Sequence, residues 1–304
     1  DETVPCNPIS TLDCDEVVVG LPLNLDFSSE VSNTILESNG LGTGFTAVQE
    51  HSEARRNGDL SISNTDINGY EPSLLNLNTT DGHLEILSQA GIAFRKPGGS
   101  TNNNNQVNTL GVGLENVTQN LTIKTTLVNI VTGGQSAQAG IWFGYDEDNF
   151  VKLNVNNNNI ELRVEENGFS TNDDPDDPDN IPEGGQVQEA LGASGNDVVL
   201  EMTINPTTLQ AEAYYTIADG TRTLLGSLDI PQSYFSGRDI NASGAQDNVT
   251  FAGIFATHRN GNQFTASFDD FSITEEVVQP ILAFDVNELN FTVEENGAVA
   301  GQTV

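Results

Sequence analysis

An acidic run between positions 172 and 180 has the composition of a cation-binding loop. Five aspartates fall within seven positions, interrupted by turn-forming prolines, and they are Asp173, Asp174, Asp176, Asp177 and Asp179. Calcium takes about six to eight oxygen ligands, which closely spaced carboxylates on a turn can supply. The run lacks the central glycine and the terminal glutamate of an EF-hand loop. It therefore predicts either a calcium site or an acidic loop that is simply hydrated.

A second set of residues could bind a sugar, because sugar rings stack on aromatic faces and their hydroxyl groups pair with amides and carboxylates. Three of these residues, Tyr145, Asp148 and Asn149, fall at one expected turn. The other candidates are Tyr214, Tyr234, His258 and Arg259. His258 ends an expected strand, so an exposed polar strand terminus is the alternative interpretation there. Trp142 is expected in the core.

The charge of the chain limits its partners. The sequence has 44 acidic and 10 basic residues among 304, which gives a formal net charge of -34. A chain this acidic is repelled by nucleic-acid phosphates and by anionic membranes, so neither is expected as a partner. The excess of carboxylates indicates either a surface adapted to salty water or carboxylates that hold calcium.

The two cysteines of the sequence, Cys6 and Cys14, lie close together near its start. Their spacing predicts a small disulfide loop over residues 1–16, formed in an oxidising compartment, with two free thiols as the alternative. No stretch approaches the roughly 20 apolar residues that span a bilayer, and the chain opens on acidic residues rather than on a signal peptide. We therefore expect a mature exported protein, secreted or displayed at the cell surface.

The expected turn at Tyr145 belongs to the most regular stretch of the sequence, residues 139–166. Its period of two predicts an antiparallel meander of three strands. These strands are Ala139–Tyr145, Phe150–Val155 and Ile160–Val164. In the third strand Glu161, Arg163 and Glu165 alternate with apolar residues, so one face is expected to be buried and the other wet. The first strand is apolar or glycine on both faces and is expected to be covered on both sides.

The same alternation recurs along the chain. An early strand is expected around Leu23, and later strands are expected over Leu74–Leu77, His83–Leu87, Gln119–Val131, Asp197–Ile204, Leu209–Ile217 and Thr223–Ile230. The segments Val249–His258 and Gln263–Ile273 are expected to form a hairpin. Many short strands without helical periodicity predict an all-β, two-sheet antiparallel sandwich over residues 17–276.

A change of composition near residue 276 predicts a boundary. Beyond it, residues 280–304 contain two short strand patterns but too few residues to bury a core of their own. We expect either the first strands of an immunoglobulin-like domain or a short C-terminal β extension that packs on the sandwich. In either case these strands are candidates for contact with neighbouring modules or protomers.

Four segments, taken in order, resemble the concanavalin A-like lectin/glucanase superfamily. They are LPLNLDF, GLGTGFTAV, AGIWFGYDEDNFVKLNV and GIFATHRNGNQFTASFDDFSI. The resemblance implies a jelly-roll sandwich whose first and last strands lie near each other. It also implies a second calcium candidate where those strands meet, formed by Asp26 with Asp269 or Asp270, with plain strand polarity as the alternative explanation of these residues.

Members of this superfamily include glycan-binding modules, glucan hydrolases and structural modules, so the fold leaves the function open. The glucanase pattern Glu-x-Asp-x-x-Glu is absent from the sequence, and no metal-protease or phosphate-binding motif is present. We therefore expect a non-catalytic module that binds a glycan or cell-surface polysaccharide or mediates adhesion. The alternative is a structural subunit of an extracellular fibre, joined to its neighbours by strand addition.

Overall fold

The computed structural model describes residues 18–49, 69–91, 93, 106–130, 134, 137–166, 185–191, 195–236, 249–259 and 261–276. Three predictions lie outside these residues. They are the disulfide of Cys6 and Cys14, the acidic run from Asp173 to Asp179, and the C-terminal extension over residues 280–304. All three stay predictions.

The described residues form strands almost throughout. The strands are β1 (Leu23–Leu25), β2 (Ala47–Val48), β3 (Leu75–Asn78), β4 (His83–Leu87), β5 (Leu110–Glu115), β6 (Leu121–Leu127), β7 (Gln138–Asp146), β8 (Asn149–Asn156), β9 (Asn159–Glu165), β10 (Gly185–Ala190), β11 (Val198–Asn205), β12 (Gln210–Ile217), β13 (Thr223–Asp229), β14 (Val249–Thr257) and β15 (Thr265–Glu275). A 3₁₀ turn covers Pro72–Leu74, and one short helix, α1, covers Ser233–Ser236. The helices of the described residues fall short of the length and apolarity that a bilayer crossing requires.

The strands form two antiparallel sheets. The eight-stranded sheet has the order β13-β12-β11-β6-β15-β4-β3, with β1 added alongside β15, and the seven-stranded sheet has the order β10-β9-β8-β7-β14-β5-β2. The first and last strands pair directly, with Leu23 opposite Ile273. The all-β, two-sheet antiparallel sandwich is therefore confirmed.

One core lies between the two sheets. It is built by alternation, as in β11, where every second side chain from Val198 to Ile204 is buried. Rings fill the space near β15, where the ring centroids of Phe45 and Phe271 are 5.1 Å apart. Successive side chains of a strand point to opposite faces of its sheet, and only one face is buried in this core. The core therefore removes about half of the side chains of each strand from water.

The meander β7–β8–β9 is confirmed, and Trp142 of β7 is buried as expected. Its indole nitrogen donates to the carbonyl oxygen of Leu110 at 3.0 Å. Gly111 makes room for this ring, since a Cβ at that position would lie 2.9 Å from Cζ2 of Trp142.

The expectation of a wet face on β9 is wrong. Glu161, Arg163 and Glu165 are at most 6% exposed. They share the outer side of the seven-stranded sheet with a second apolar cluster of Ala93, Trp142, Phe150 and Phe255. Alternating polarity gives the orientation of a side chain, but it does not tell whether water or another layer of protein lies on the polar side.

The expected hairpin near the end of the sandwich is also wrong. β14 lies in the seven-stranded sheet between β7 and β5, whereas β15 lies in the eight-stranded sheet between β6 and β4. The turn between them therefore crosses from one sheet to the other. Both strands carry enough apolar residues to lie inside a sheet, and their pairing partners come from distant parts of the chain.

Candidate functional site

The outer side of the seven-stranded sheet, here called the second face, carries a group of buried polar side chains. We call this group the polar patch, and its members are Gln138, Lys152, Asn154, Glu161, Arg163 and Glu165. Strand register fixes their arrangement, because Lys152 pairs with Arg163 on one side and with Trp142 on the other. The patch thus lies directly beside the second apolar cluster.

Lys152 is the centre of the polar patch and is fully buried. Its Nζ donates to Oε1 of Gln138 at 2.7 Å and to the carbonyl oxygen of Ala93. The same atom lies 5.7 Å from the ring centroid of Phe255 and 5.8 Å from that of Phe150, within the range of a cation–π contact. Burial lowers the pKa of Lys152 to about 8, against the opposing attraction of Glu161.

Glu161 and Arg163 form a buried ion pair. Arg163 donates from Nε to Oε1 of Glu161 at 3.1 Å and from Nη2 to Oε2 at 3.3 Å. Burial alone would raise the pKa of Glu161, but Lys152 and Arg163 together hold it below its ordinary value. The carboxylate is therefore ionised at neutral pH, and the two cations of the patch are balanced by nearby carboxylates.

Asn154 is the exception within the polar patch. Its side chain is fully buried, yet neither Oδ1 nor Nδ2 has a hydrogen-bond partner. Buried amides are nearly always paired, because an unpaired polar group loses its hydrogen bonds to water on folding. Such an atom in a native structure calls for a functional or structural reason.

The polar patch reaches an exposed edge of the sheet at β10. Gln186 and Gln188 are exposed there, and Nε2 of Gln186 donates to Oε2 of Glu161 at 2.9 Å. Gln188 is in register with Glu161, which is in register with Asn154. Amides and charged groups thus run inward from the exposed edge to the buried rings of the second apolar cluster. The exposed amides of this edge suit a ligand that carries hydroxyl groups.

Three of the sugar-binding candidates meet at the β7–β8 turn, as the sequence suggested. Asp146 organises this turn, since its Oδ1 accepts hydrogen bonds from the backbone N of Asp148 and from Nδ2 of Asn149, both at 2.9 Å. Burial raises the pKa of Asp146 to about 6. Tyr145 lies beside it, and burial raises the pKa of that hydroxyl to about 12.

Tyr234 joins the same end of the sandwich but is fully buried. Its hydroxyl donates to the carbonyl oxygens of Phe150 and Glu165, and its ring meets Tyr145 edge-on with 6.2 Å between centroids. The side chain anchors α1 to the meander. No face of its ring is exposed for a sugar to stack on.

The remaining candidates lie elsewhere. Tyr214 is on the outer face of the eight-stranded sheet, with the guanidinium carbon of Arg222 only 3.2 Å from its ring centroid. Nδ1 of His258 lies within hydrogen-bonding distance of the hydroxyl oxygen of Ser88, at 3.0 Å, and this oxygen accepts from the backbone N of Phe264. Burial lowers the pKa of His258. Arg259 follows in a left-handed backbone conformation, with φ of 45°.

The calcium candidates of the sandwich lie near the pairing of β1 with β15. Asp26 accepts hydrogen bonds from the backbone and hydroxyl of Ser28, at 3.1 and 2.8 Å. Asp269 lies 3.5 Å from Nε2 of His83, and Oδ1 of Asp270 is buried without a hydrogen-bond partner. Within the described ranges, no three His, Cys, Asp or Glu side chains are grouped so as to hold a metal ion. Calcium binding stays a prediction, since the acidic run falls outside those ranges.

Sequence reasoning missed the polar patch. The signal in the sequence that could have revealed the patch is Lys152, one of three lysines in the chain. This lysine has apolar residues on both sides within the expected strand FVKLNV. A lysine and an asparagine two positions apart share one face. Since the neighbouring strand places Trp142 and glycines on that face, the lysine is expected to be enclosed rather than hydrated.

No family model matches this chain, and no curated protein matches it. A mutant of the GH43 protein BlXynB from Bacillus licheniformis shares its fold with a TM-score of 0.51 and 15% identity, over 83% of this chain and 39% of that protein.

Two further solved structures are similar at lower scores. Xylan beta-1,4-xylosidase from Bacillus halodurans has a TM-score of 0.45 and 17% identity over 67% of this chain and 35% of its own length. Lectin I-B4 from Griffonia simplicifolia has a TM-score of 0.40 and 9% identity over 67% of this chain and 91% of its own. The chain thus spans about two fifths of the GH43 protein or less, and the similarity shows the β-sandwich fold alone.

These matches correct the expected function. We expected a non-catalytic glycan-binding or adhesion module, with a fibre subunit as the alternative. The solved structure that shares the fold with a TM-score of 0.51 is instead a GH43 protein. The absence of one glucanase pattern was too narrow a basis for excluding enzymes, because the same sandwich fold occurs within a GH43 protein.

Proposed function

We propose that this chain is a concanavalin A-like β-sandwich domain of an extracellular glycoside hydrolase, and that it holds a saccharide chain at the exposed β10 edge of the seven-stranded sheet. The observation that carries the proposal is the pair of exposed amides on β10, Gln186 and Gln188, since Nε2 of Gln186 also donates to Oε2 of the buried Glu161 at 2.9 Å. The fold shared with a GH43 protein supports the assignment to a hydrolase.

The charges of the patch favour an uncharged saccharide. Lys152 and Arg163 are balanced by the two carboxylates Glu161 and Glu165, so little positive charge is left for a uronate. The chain as a whole carries a formal charge of -34 and repels polyanions. A neutral polysaccharide such as xylan is the better substrate class. Export from the cell and calcium binding by the acidic run fit the same extracellular role, and both are part of the proposal.

The proposal is tested with the full chain by electrophoresis through gels that contain xylan, xyloglucan or β-glucan, together with an assay for released reducing sugar. We expect at least one neutral polysaccharide to retard the chain. Replacing Gln186 and Gln188 together by alanine should weaken binding about fivefold, since each exposed amide loses a hydrogen bond of about 1 kcal/mol or less.

Gln210→Ala is the matched control, because Gln210 is exposed on β12 of the other sheet. This variant should bind as the unmodified chain does. Release of reducing sugar by the chain would add a catalytic role to the same domain. A chain that no polysaccharide retards and that releases no sugar contradicts the proposal.

A further inference from the structure

Lys152 and Gln138 bring an amine and a primary amide into contact inside the protein. Nζ of Lys152 donates to Oε1 of Gln138 at 2.7 Å, and the two side chains are fully buried and 6% exposed, respectively. Since a C=O bond is about 1.23 Å long and a donor approaches the oxygen from the side, the amide carbon Cδ lies about 3.5 Å from Nζ. Groups held at about 3–3.5 Å are close enough to react with each other.

The register of the meander holds this pair together. Lys152 of β8 is opposite Trp142 of β7, whereas Gln138 lies four positions earlier on the same face of β7. The position between them on that face is Gly140, and because it has no side chain the lysine can cross this part of the face to meet Gln138. Asn154 is the other amide beside the lysine, but it has no hydrogen-bond partner, so the contact of Nζ is specific to Gln138.

The surroundings of Nζ favour the neutral, nucleophilic form of the amine. The ring centroids of Phe150 and Phe255 are 5.8 and 5.7 Å away, and burial lowers the pKa of Lys152 to about 8. At pH 7 roughly a tenth of the chains therefore carry the neutral amine. A desolvated lysine of this kind is a competent nucleophile, and the exclusion of water removes hydrolysis as a competing reaction.

We propose that Lys152 and Gln138 join in an intramolecular isopeptide bond, which forms without an enzyme once the sandwich has folded. The lone pair of Nζ attacks Cδ of Gln138, so that an Nζ–Cδ bond forms. The Cδ–Nε2 bond then breaks, and Nε2 leaves as ammonia with one proton that comes from Nζ. An amine and a primary amide are converted to a secondary amide and ammonia, and the step needs no oxidant, reductant or co-reactant.

The carboxylates of β9 provide for the movement of that proton. Glu161 and Glu165 both attract the charge of Lys152, and the pKa of Glu161 is held below its ordinary value, so this carboxylate is ionised at neutral pH. An ionised carboxylate beside an amine can accept the proton that Nζ loses and return it to the departing nitrogen. The bond also removes the charge of Lys152, which leaves Arg163 as the remaining cation of the polar patch.

The test is the mass of the purified, unmodified full chain, measured after reduction of any disulfide. We expect all or part of the chain to be lighter than its sequence requires by one ammonia, about 17 Da. Trypsin should fail to cleave after Lys152, so that one peptide runs from Thr125 to Arg163 and contains both partners. Fragmentation of this peptide should show a closed loop between Gln138 and Lys152. A chain with the full mass of its sequence overturns the inference.

Lys152→Met removes the amine and keeps a side chain of similar length, so the loss of ammonia should disappear in this variant. Lys124→Met is the matched control, because Lys124 lies on β6 of the other sheet, and it should keep the loss. If Lys152→Met does not fold, the peptide map of the unmodified chain still decides. A loss of ammonia that persists in Lys152→Met, or that maps to an asparagine elsewhere, contradicts the inference.

The isopeptide bond and the proposed function can fail separately. Binding of a polysaccharide at β10 depends on the exposed Gln186 and Gln188, and it is measured by retardation in a gel. The bond depends on two enclosed side chains of β7 and β8, and it is measured by mass. A chain that carries the bond and binds no saccharide keeps this inference and loses the proposed function, and the opposite pair of results does the reverse.

Discussion

Asp146 is a single residue whose burial makes the stability of the fold depend on pH. Its carboxyl group is 6% exposed, and burial raises its pKa from 3.8 to about 6. The folded chain therefore keeps this proton to a higher pH than the unfolded chain does. The contribution of Asp146 to stability is fully present below about pH 4 and is lost as the pH rises toward 6.

Asp146→Asn should prevent this loss of stability at higher pH. The amide Oδ1 can still accept hydrogen bonds from Asp148 and Asn149, but the side chain never becomes charged. At pH 7 we expect the free energy of unfolding to rise by on the order of 2 kcal/mol, and at pH 4 by much less. Urea unfolding at the two pH values measures the difference. Asp229→Asn, at an exposed carboxylate of β13, is the control. An equal effect of Asp146→Asn at both pH values would contradict the argument.

At the scale of the strands, Gly111 and Trp142 show how one position on β5 makes room for a side chain of β7. The ring of Trp142 crosses β14, where its register partner is Gly253, and reaches Gly111. Its indole nitrogen ends at the carbonyl oxygen of Leu110. The three strands are held in register by a ring that lies over two glycines.

Gly111→Ala should displace this ring, because the new methyl group would lie 2.9 Å from Cζ2 of Trp142. We expect a loss of about 1–3 kcal/mol in the free energy of unfolding, as is usual for an overpacked core. Trp142 is the only tryptophan of the chain, so its fluorescence reports on the site directly, and we expect a shift to longer wavelength. Gly20→Ala is the control, since nothing lies within 4 Å of a Cβ there. Unchanged stability and fluorescence would show that the ring tolerates the methyl group.

Sequence patterns predicted the strands better than their partners. The bounds of β7, β8 and β9 follow from alternation and from polar turns between adjacent strands. The pairing of β14 with β5 and β7 could not be predicted in this way, because Asn260–Gly261 looks like a hairpin turn whether or not the strands on either side pair. β10 was missed altogether, since GQVQEA is an edge strand with one apolar position between two glutamines.

The site was predictable only in part, because only some of its residues are neighbours in sequence. Tyr145, Asp148 and Asn149 are neighbours in sequence and therefore meet at one turn. The polar patch joins residues from β7, β8 and β9, so its enclosure depends on tertiary packing. The alternation of Glu161, Arg163 and Glu165 is the same whether water or protein covers that face.

At the scale of the whole molecule, the net charge of -34 opposes compaction, because like charges are brought closer together on folding. Salt shortens the screening length from about 30 Å at 0.01 M to about 3 Å at 1 M. We expect the melting temperature to rise steadily as sodium chloride increases over this range. Calorimetric or fluorescence scans at a fixed pH measure the rise, and a melting temperature that is flat or falls with salt would contradict it.

Calcium chloride in the same scans separates screening from binding. An increase produced by millimolar calcium, at constant ionic strength and reversed by a chelator, is the result expected if the acidic run binds the ion. If calcium acts only as its ionic strength predicts, the acidic run is hydrated and screened like the rest of the surface. One titration thus distinguishes the two hypotheses for the acidic run, a calcium site and a hydrated loop.

The antiparallel pairing of β1 with β15 also determines how the sandwich responds to force. Leu23 and Ile273 are opposite each other, so the first residue of β1 and the last residues of β15 lie at one end of the sandwich, a single strand spacing apart. Tension applied through these two points loads the hydrogen bonds of the ladder one after another instead of shearing all of them together. The pairing of β1 with β15 is therefore expected to open under tension before the strand pairs inside the two sheets do.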